Sequence, residues 1–193
     1  MRIILWFLAG LVAAIVLASV IGYALLTTSV GGFSANARPT AAETWIARKV
    51  RAMAVPDDMK QKNNPFPNSP DILSDARAHW ADHCAACHGN DGSGQSEMGP
   101  HLYPPTPDMR KPETQRMTDG ELFYIIQNGI RLSGMPAWGA DHSAEDSWKL
   151  VRFIRHLPDL SSGELQEMEK LNPKTPQELE EEHEHSTTDH HHH

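Results

Sequence analysis

Residues 84–88 read Cys84-Ala85-Ala86-Cys87-His88, and this stretch decides how the rest of the chain is read. These are the only two cysteines in 193 residues, so a disulfide framework is excluded. A three-residue step brings both sulfurs within reach of the two vinyl positions on one edge of a porphyrin. The adjoining imidazole then faces the iron. C-x-x-C-H is the attachment pattern of a c-type haem. A redox C-x-x-C belongs in a βαβ context and needs no histidine beside it, and a tetrahedral zinc site needs ligands that no second C-x-x-C supplies. The expectation is one haem c, bound covalently through Cys84 and Cys87, with His88 as an axial ligand of the iron.

The flanks read as helix and loop. A helix is expected from about Asp71 to Cys84, with Ile72, Ala76, Trp80 and His83 on one face. Residues 89–118 are long, Pro/Gly-rich and nearly patternless, which a compact domain carries only for a reason. A bound cofactor standing in for missing apolar core is such a reason. Thr118-Asp119-Gly120-Glu121 is a capping box opening a helix through Asn128 that ends at Gly129, with Leu122, Phe123, Ile125 and Ile126 as its apolar stripe. Ser143-Ala144-Glu145-Asp146 opens another, which runs to His156, stops before Pro158 and carries Trp148, Val151, Ile154 and Arg155 along one side. No internal repeat and no alternating segment is visible, so the middle is expected to be all-α.

At the N-terminus, Ile3 to Leu26 is a run of 24 uncharged residues. As a helix it is ~36 Å long, enough to cross a ~30 Å hydrocarbon core with some tilt. Arg2 favours a cytoplasmic N-terminus. A cleaved signal peptide competes, because Ala35-Asn36-Ala37 has the small-x-small pattern, but the run exceeds the usual ~7–15 residue apolar region. A retained anchor is the preferred reading, and both place the remainder outside the cytoplasm. Thr40 to Glu43 is a capping box, Trp45, Ile46, Lys49, Val50 and Met53 follow at helical spacing, and Pro56 closes the segment. Two readings of this helix stand open: a place in the headgroup layer, suited to Trp45, Arg48, Lys49 and Arg51, or packing against its own domain. Pro56, Pro65, Pro67 and Pro70 then mark a linker.

The chain thus divides into a transmembrane segment (1–30), a juxtamembrane helix with a Pro-rich linker (31–70), a haem domain (71–160) and an acidic, His-rich tail (161–193). The first 70 residues carry seven Lys/Arg against three Asp/Glu, residues 71–160 eight against thirteen, and the tail two against nine. Nothing resembles the basic stripe of a nucleic-acid binder. An acidic domain suits a redox protein with a basic docking patch. The tail has a helix signal at Ser161 to Glu164, then Pro173, Pro176 and a Glu/His run with His183, His185 and His190 to His193. It reads as a solvated, unstructured segment whose histidines are purification residues or metal-binding imidazoles.

Over about residues 69–158 the sequence resembles the class I c-type cytochromes, in particular bacterial membrane-anchored monohaem members. The resemblance is carried by the helix from Ser69 to Cys84, the motif extended from Cys84 through Gly94, the stretch Asp119-Gly120-Glu121-Leu122-Phe123, and Asn128-Gly129-Ile130-Arg131 leading into Gly134-Met135-Pro136-Ala137-Trp138. It implies a small all-α fold in which the first and last helices cross beside the haem. A glycine and an aromatic four residues apart on the first helix then meet an aromatic of the last. Here Ala76 replaces the glycine, Trp80 is the aromatic, and Trp148 is the expected counterpart.

Four methionines follow His88: Met98, Met109, Met117 and Met135. Met135, turned between Gly134 and Pro136 in the loop where the family carries its methionine, is the expected second axial ligand; Met109, His101 and His142 are the alternatives. The resemblance implies a proline carbonyl as acceptor for the second nitrogen of His88: Pro100, or else Pro104 or Pro105. Tyr103, Arg131 and Trp138 are candidate propionate contacts. The function this implies is electron transfer between redox proteins on the outer face of the cytoplasmic membrane, with a respiratory complex or periplasmic dehydrogenase as partner and no small-molecule substrate. The alternatives are a haem subunit of a dehydrogenase or oxidase complex, or a haem peroxidase, for which His142 would be the distal base.

Overall fold

The structure is a computed structural model that describes residues 2–28, 34–35 and 37–174. All regular elements among them are helical, as the periodicities imply. α1 (Arg2–Thr28) is the apolar run, and over residues 2–24 it buries nothing against the rest of the chain. α2 (Ala41–Ala54) opens with the expected capping box: Thr40 Oγ1 accepts from the Glu43 N–H at 3.2 Å and Glu43 Oε2 from the Thr40 N–H at 2.6 Å. A single turn, α3 (Asp57–Lys60), follows. The first helix of the folded domain is built in three pieces: α4 (Pro70–His79), a π-helical turn (Trp80–Cys84) and α5 (Ala85–His88). Then come α6 (Pro112–Gln115), α7 (Asp119–Asn128), α8 (Ala144–His156) and α9 (Ser162–Leu171). α7, α8 and α9 all begin at capping boxes, N-capped by Thr118, Ser143 and Ser161.

The core forms where α4 meets α8, with α7 and α9 closing its sides. Ala76 and Trp80 are buried at this crossing, and Val151, Phe153 and Ile154 of α8 are equally buried. The aromatic that meets Trp80 is Phe153, ring centroids 5.5 Å apart, and not Trp148. Trp148 lies five residues earlier, ~140° round the helix, and stacks on Phe123 of α7 at 4.1 Å with planes 12° apart. One helix can turn only one of the two toward α4.

α8 also organises backbone at a distance. Arg155 donates to the carbonyls of Gln115 and Met117 and to Asp119 Oδ1, which fixes the approach to α7. Arg152 Nε donates to Phe66 O at 2.7 Å, and Asn64 Nδ2 to Trp148 O at 2.8 Å. The proline-rich stretch before α4 is therefore seated on α8, with Asn64 buried, instead of running free as a linker. The long loop after the motif contains a 3₁₀ turn (Gly99–His101) as well as α6.

The segment after residue 160 departs from the expected unstructured tail. α9 packs Met168 fully into the core, and Arg77 of α4 bridges to Glu164 at 3.2 Å and Glu167 at 2.6 Å. Leu165, Met168 and Leu171 give this short acidic helix the apolar spacing that overall composition conceals. The histidines from His183 onward lie outside the described residues.

Two outcomes follow from the α9 contacts. Met168→Ala should lower the unfolding free energy by about 2–5 kcal/mol, the range for truncating a buried Met, seen as a shift of the denaturation midpoint. Glu164 is held down at about 2: burial raises its pKa, but hydrogen bonds from the Ser161 N–H and hydroxyl and from His156 outweigh that. A depressed carboxylate contributes stability that is complete above its ordinary 4.5 and is lost as pH falls toward 2. Glu164→Gln should therefore flatten the pH dependence of stability across that window, measured by denaturant titration at stepped pH.

Candidate functional site

The π turn hands the chain from α4 to the motif. The Ala85 N–H reaches back five residues to Trp80 O, so the turn is one residue wider than an α-helix. Cys84 ends that turn, and Cys87 and His88 close the single turn of α5. Both cysteines are half-buried, and no disulfide joins them. Burial, with Cys87 adding to it, pushes the Cys84 thiol up to about 12. Burial pushes His88 down to about 4, so its imidazole is neutral at physiological pH and keeps a lone pair for a metal. His88 Nδ1 is buried and makes no hydrogen bond.

Trp80 supports the motif from below. Its ring centroid lies 5.5 Å from that of His88, and its Nε1–H donates to Gly89 O at 3.0 Å. The following loop folds back over the motif's backbone. Gly94 N–H donates to His88 O at 2.8 Å, and Ser96 Oγ lies 2.7 Å from Ala86 O and 3.0 Å from Cys87 O. Gly99 packs so close that a Cβ there would collide with the carbonyl oxygens of Gly94 and Cys87. The glycines of the loop thus let backbone lie on backbone at the motif.

Met135 sits half-buried in a loop closed by the Ile130 N–H donating to Met135 O at 3.1 Å. Gly129, at φ 64°, makes this closure possible, since a Cβ would stand 2.7 Å from Met135 O and 2.6 Å from the Pro136 carbonyl carbon. Leu132 at the tip is 91% exposed and adopts φ 61°, a conformation that non-glycine residues rarely take. Met109 instead packs against the core, its N–H bonded to Gly92 O at 2.8 Å.

The other expected contacts are dispersed. Pro100 lies exposed in the 3₁₀ turn, and neither it nor Pro104 nor Pro105 accepts a hydrogen bond from His88. Tyr103 directs its hydroxyl to Glu43 of α2 at 3.3 Å, and Arg131 is exposed. His101 is exposed as well. Trp138 stands among histidines: His142 at 5.0 Å and His83 at 5.9 Å between centroids.

That histidine group was missed as a group. The ring centroids of His79, His83 and His142 lie 4.6–4.8 Å apart pairwise, and His83 directly precedes Cys84. Burial, then His142 and His83, depresses the His79 pKa. The i, i+4 spacing of His79 and His83 was the available signal; the arrival of His142 from another element was not. Among the described residues no cluster is arranged to hold a metal ion by itself.

Two unbridged thiols three residues apart, beside an imidazole and under a loop whose Gly94 and Gly99 leave no room for a Cβ, fit a haem held by thioethers and one histidine. The comparisons agree. Residues 72–154 match the family model described as Cytochrome C oxidase, cbb3-type, subunit III. No curated protein matches the chain.

Trp80→Phe keeps the ring on Phe153 but removes the donor to Gly89. The variant should lose about 0.5–1.5 kcal/mol of stability, the net worth of one hydrogen bond, by denaturant unfolding, because the Gly89 carbonyl keeps the Gly92 N–H at 3.1 Å. It should still retain its haem through acid extraction.

Proposed function

We propose, from the premise that residues 72–154 are a class I c-type cytochrome domain with one covalent haem c, that the chain is a membrane-anchored electron carrier whose iron is ligated by His88 and Met135. The observation that carries this is the geometry of the motif: His88 closes the same single turn as Cys87 with its Nδ1 buried, and Met135 is carried in a separate loop closed by the Ile130 N–H. Haem c supplies a reversible one-electron iron couple. Cys84 and Cys87 would hold it permanently, His88 would ligate from the helical side, and Met135 from the loop. With His88 and Met135 both holding the iron, the two side chains would exclude oxygen and peroxide and would limit rearrangement on electron transfer. His/Met ligation favours the ferrous state and so a high potential.

α1 would place the domain on the outer face of the cytoplasmic membrane, with Arg2 inside. The acidic charge of residues 71–160 suits a redox partner with a basic docking surface, in a respiratory complex or a periplasmic dehydrogenase. A second reading, a haem subunit held within an oxidase complex, draws its support from the description of the matching family.

Replacing Cys84 and Cys87 by Ala should leave no haem that survives extraction into acidified organic solvent. The oxidised wild type should show the weak near-infrared sulfur-to-iron band. Met135→Ala should abolish the band, open a site for carbon monoxide and lower the potential by on the order of 0.1 V, within the ~0.8 V that axial ligands span; Met109→Ala should do none of these. A wild type that binds carbon monoxide rapidly and turns over peroxide would refute the carrier reading. Co-purification with an oxidase at fixed stoichiometry would decide for the subunit.

A further inference from the structure

We propose that α2 is a membrane-surface helix: its apolar face lies in the headgroup layer of the bilayer that α1 enters, with anionic phospholipid as its ligand. The proposal rests on α1 being membrane-embedded. On a helix turning ~100° per residue, Thr44 and Arg51 fall on one side, ~20° apart, with Glu43 at its edge ~80° from Arg51. This is the side turned to the folded domain. Glu43 accepts the Tyr103 hydroxyl at 3.3 Å, and Arg51 Nη2 lies 3.9 Å from Met117 Sδ. Val55, directly after the helix, is buried. The far side carries Trp45, Ile46 and Met53, 63, 53 and 74% exposed, and Val50, 55% exposed, lies at its edge ~20° from Glu43. Lys49 rises from within that face and Arg48 borders it, both exposed.

Single exposed apolar residues are ordinary on a protein surface. Three on one face of one helix with a fourth at its edge, led by a tryptophan and interspersed with cations, form an amphipathic surface suited to the membrane interface. Lys49 can extend its stem along that face and keep its ammonium among the lipid phosphates.

Two observations select a bilayer as the occupant. The first is continuity with α1. Only residues 29–40 separate Thr28 from Ala41, a tether of at most about 45 Å. It holds the face at an effective concentration on the order of mM near the bilayer, so weak intrinsic affinity suffices. The second is charge. α2 has Arg48, Lys49 and Arg51 against Glu43 alone, whereas residues 71–160 have eight Lys/Arg against thirteen Asp/Glu. An anionic surface attracts the helix and repels the domain behind it, so α2 is the side of the protein that turns down.

The test uses the full, haem-loaded chain in nanodiscs containing a diazirine-bearing phospholipid, photolysed and mapped by mass spectrometry. Lipid adducts are expected on α1 and on residues 45–53, with α2 adducts reduced at least threefold when phosphatidylglycerol is replaced by phosphatidylcholine. Trp45→Ser with Met53→Ser should abolish the α2 adducts and leave α1 adducts and the haem spectrum unchanged. Adducts on α1 with none on 45–53, or photoproducts joining α2 of two copies, overturn the proposal while leaving the anchor intact. Equal labelling in both lipids overturns the choice of an anionic ligand. An unlabelled α1 overturns the anchor reading and this proposal with it.

Discussion

The hydrogen bond from Trp80 Nε1–H to Gly89 O is the contact on which presentation of the motif depends. A buried indole must place its one polar atom on an acceptor. Here the acceptor is the carbonyl of the residue that ends α5, where φ of 74° turns the chain out of the helix. The same ring lies 5.5 Å from Phe153 on one side and 5.5 Å from His88 on the other. One side chain therefore couples the α4–α8 crossing, the imidazole and the start of the covering loop. The wide turn at Trp80–Cys84 lies between the crossing and the imidazole: adding one residue to the helical repeat shifts the cysteines round relative to the buried face of Ala76 and Trp80, while Cys84 stays packed at the edge of the core.

What could be read in the sequence was local, and what could not was long-range. The capping boxes at Thr40, Thr118 and Ser143 are written within four residues, and each opens a helix where the pattern places it. The motif is likewise five residues long, and the all-helical class follows from periodicity. The π turn carries no comparable mark, because an extra residue is accommodated by tertiary packing. Choosing Phe153 over Trp148 required the rotational phase of α8 against α4. Seating residues 64–66 required knowing that Arg152 and Trp148 would come alongside. Composition made the stretch after Leu160 look like solvent-exposed tail, although one buried Met168 together with the Arg77 and His156 contacts to Glu164 and Glu167 seats ten residues on the core. The histidine trio is the same lesson at the site: two of its members are readable from their spacing, and the third joins only through the fold.

Arginine has a particular part in this architecture. Arg152 and Arg155 spend their guanidinium groups chiefly on carbonyl oxygens of Phe66, Gln115 and Met117, with Asp119 as the shared anion. Segments with little regular structure of their own are thereby given hydrogen-bond partners that no neighbouring strand or helix could offer. Lysine could supply the charge at either position but not several donors in a fixed plane. These contacts give irregular segments around a small core the definition that apolar burial alone would not.

The contacts of α2 extend toward the methionine loop. Glu43 on α2 binds the hydroxyl of Tyr103, and Leu102, the preceding residue, lies where a side chain on Gly134 would collide with it at 2.9 Å. Gly134 adjoins Met135. Two residues thus separate the helix nearest the N-terminal apolar segment from the loop proposed to complete the iron's coordination. Arg51 makes a second connection, through Met117 to the start of α7, and α7 ends at Gly129, where that loop begins. Both routes run through packed or hydrogen-bonded neighbours, so the seat of α2 and the position of the methionine loop constrain one another. A helix held flat on a bilayer would do more than keep the domain at the membrane: it would set which side of the domain faces a partner arriving along the surface, and it would brace the loop that carries Met135.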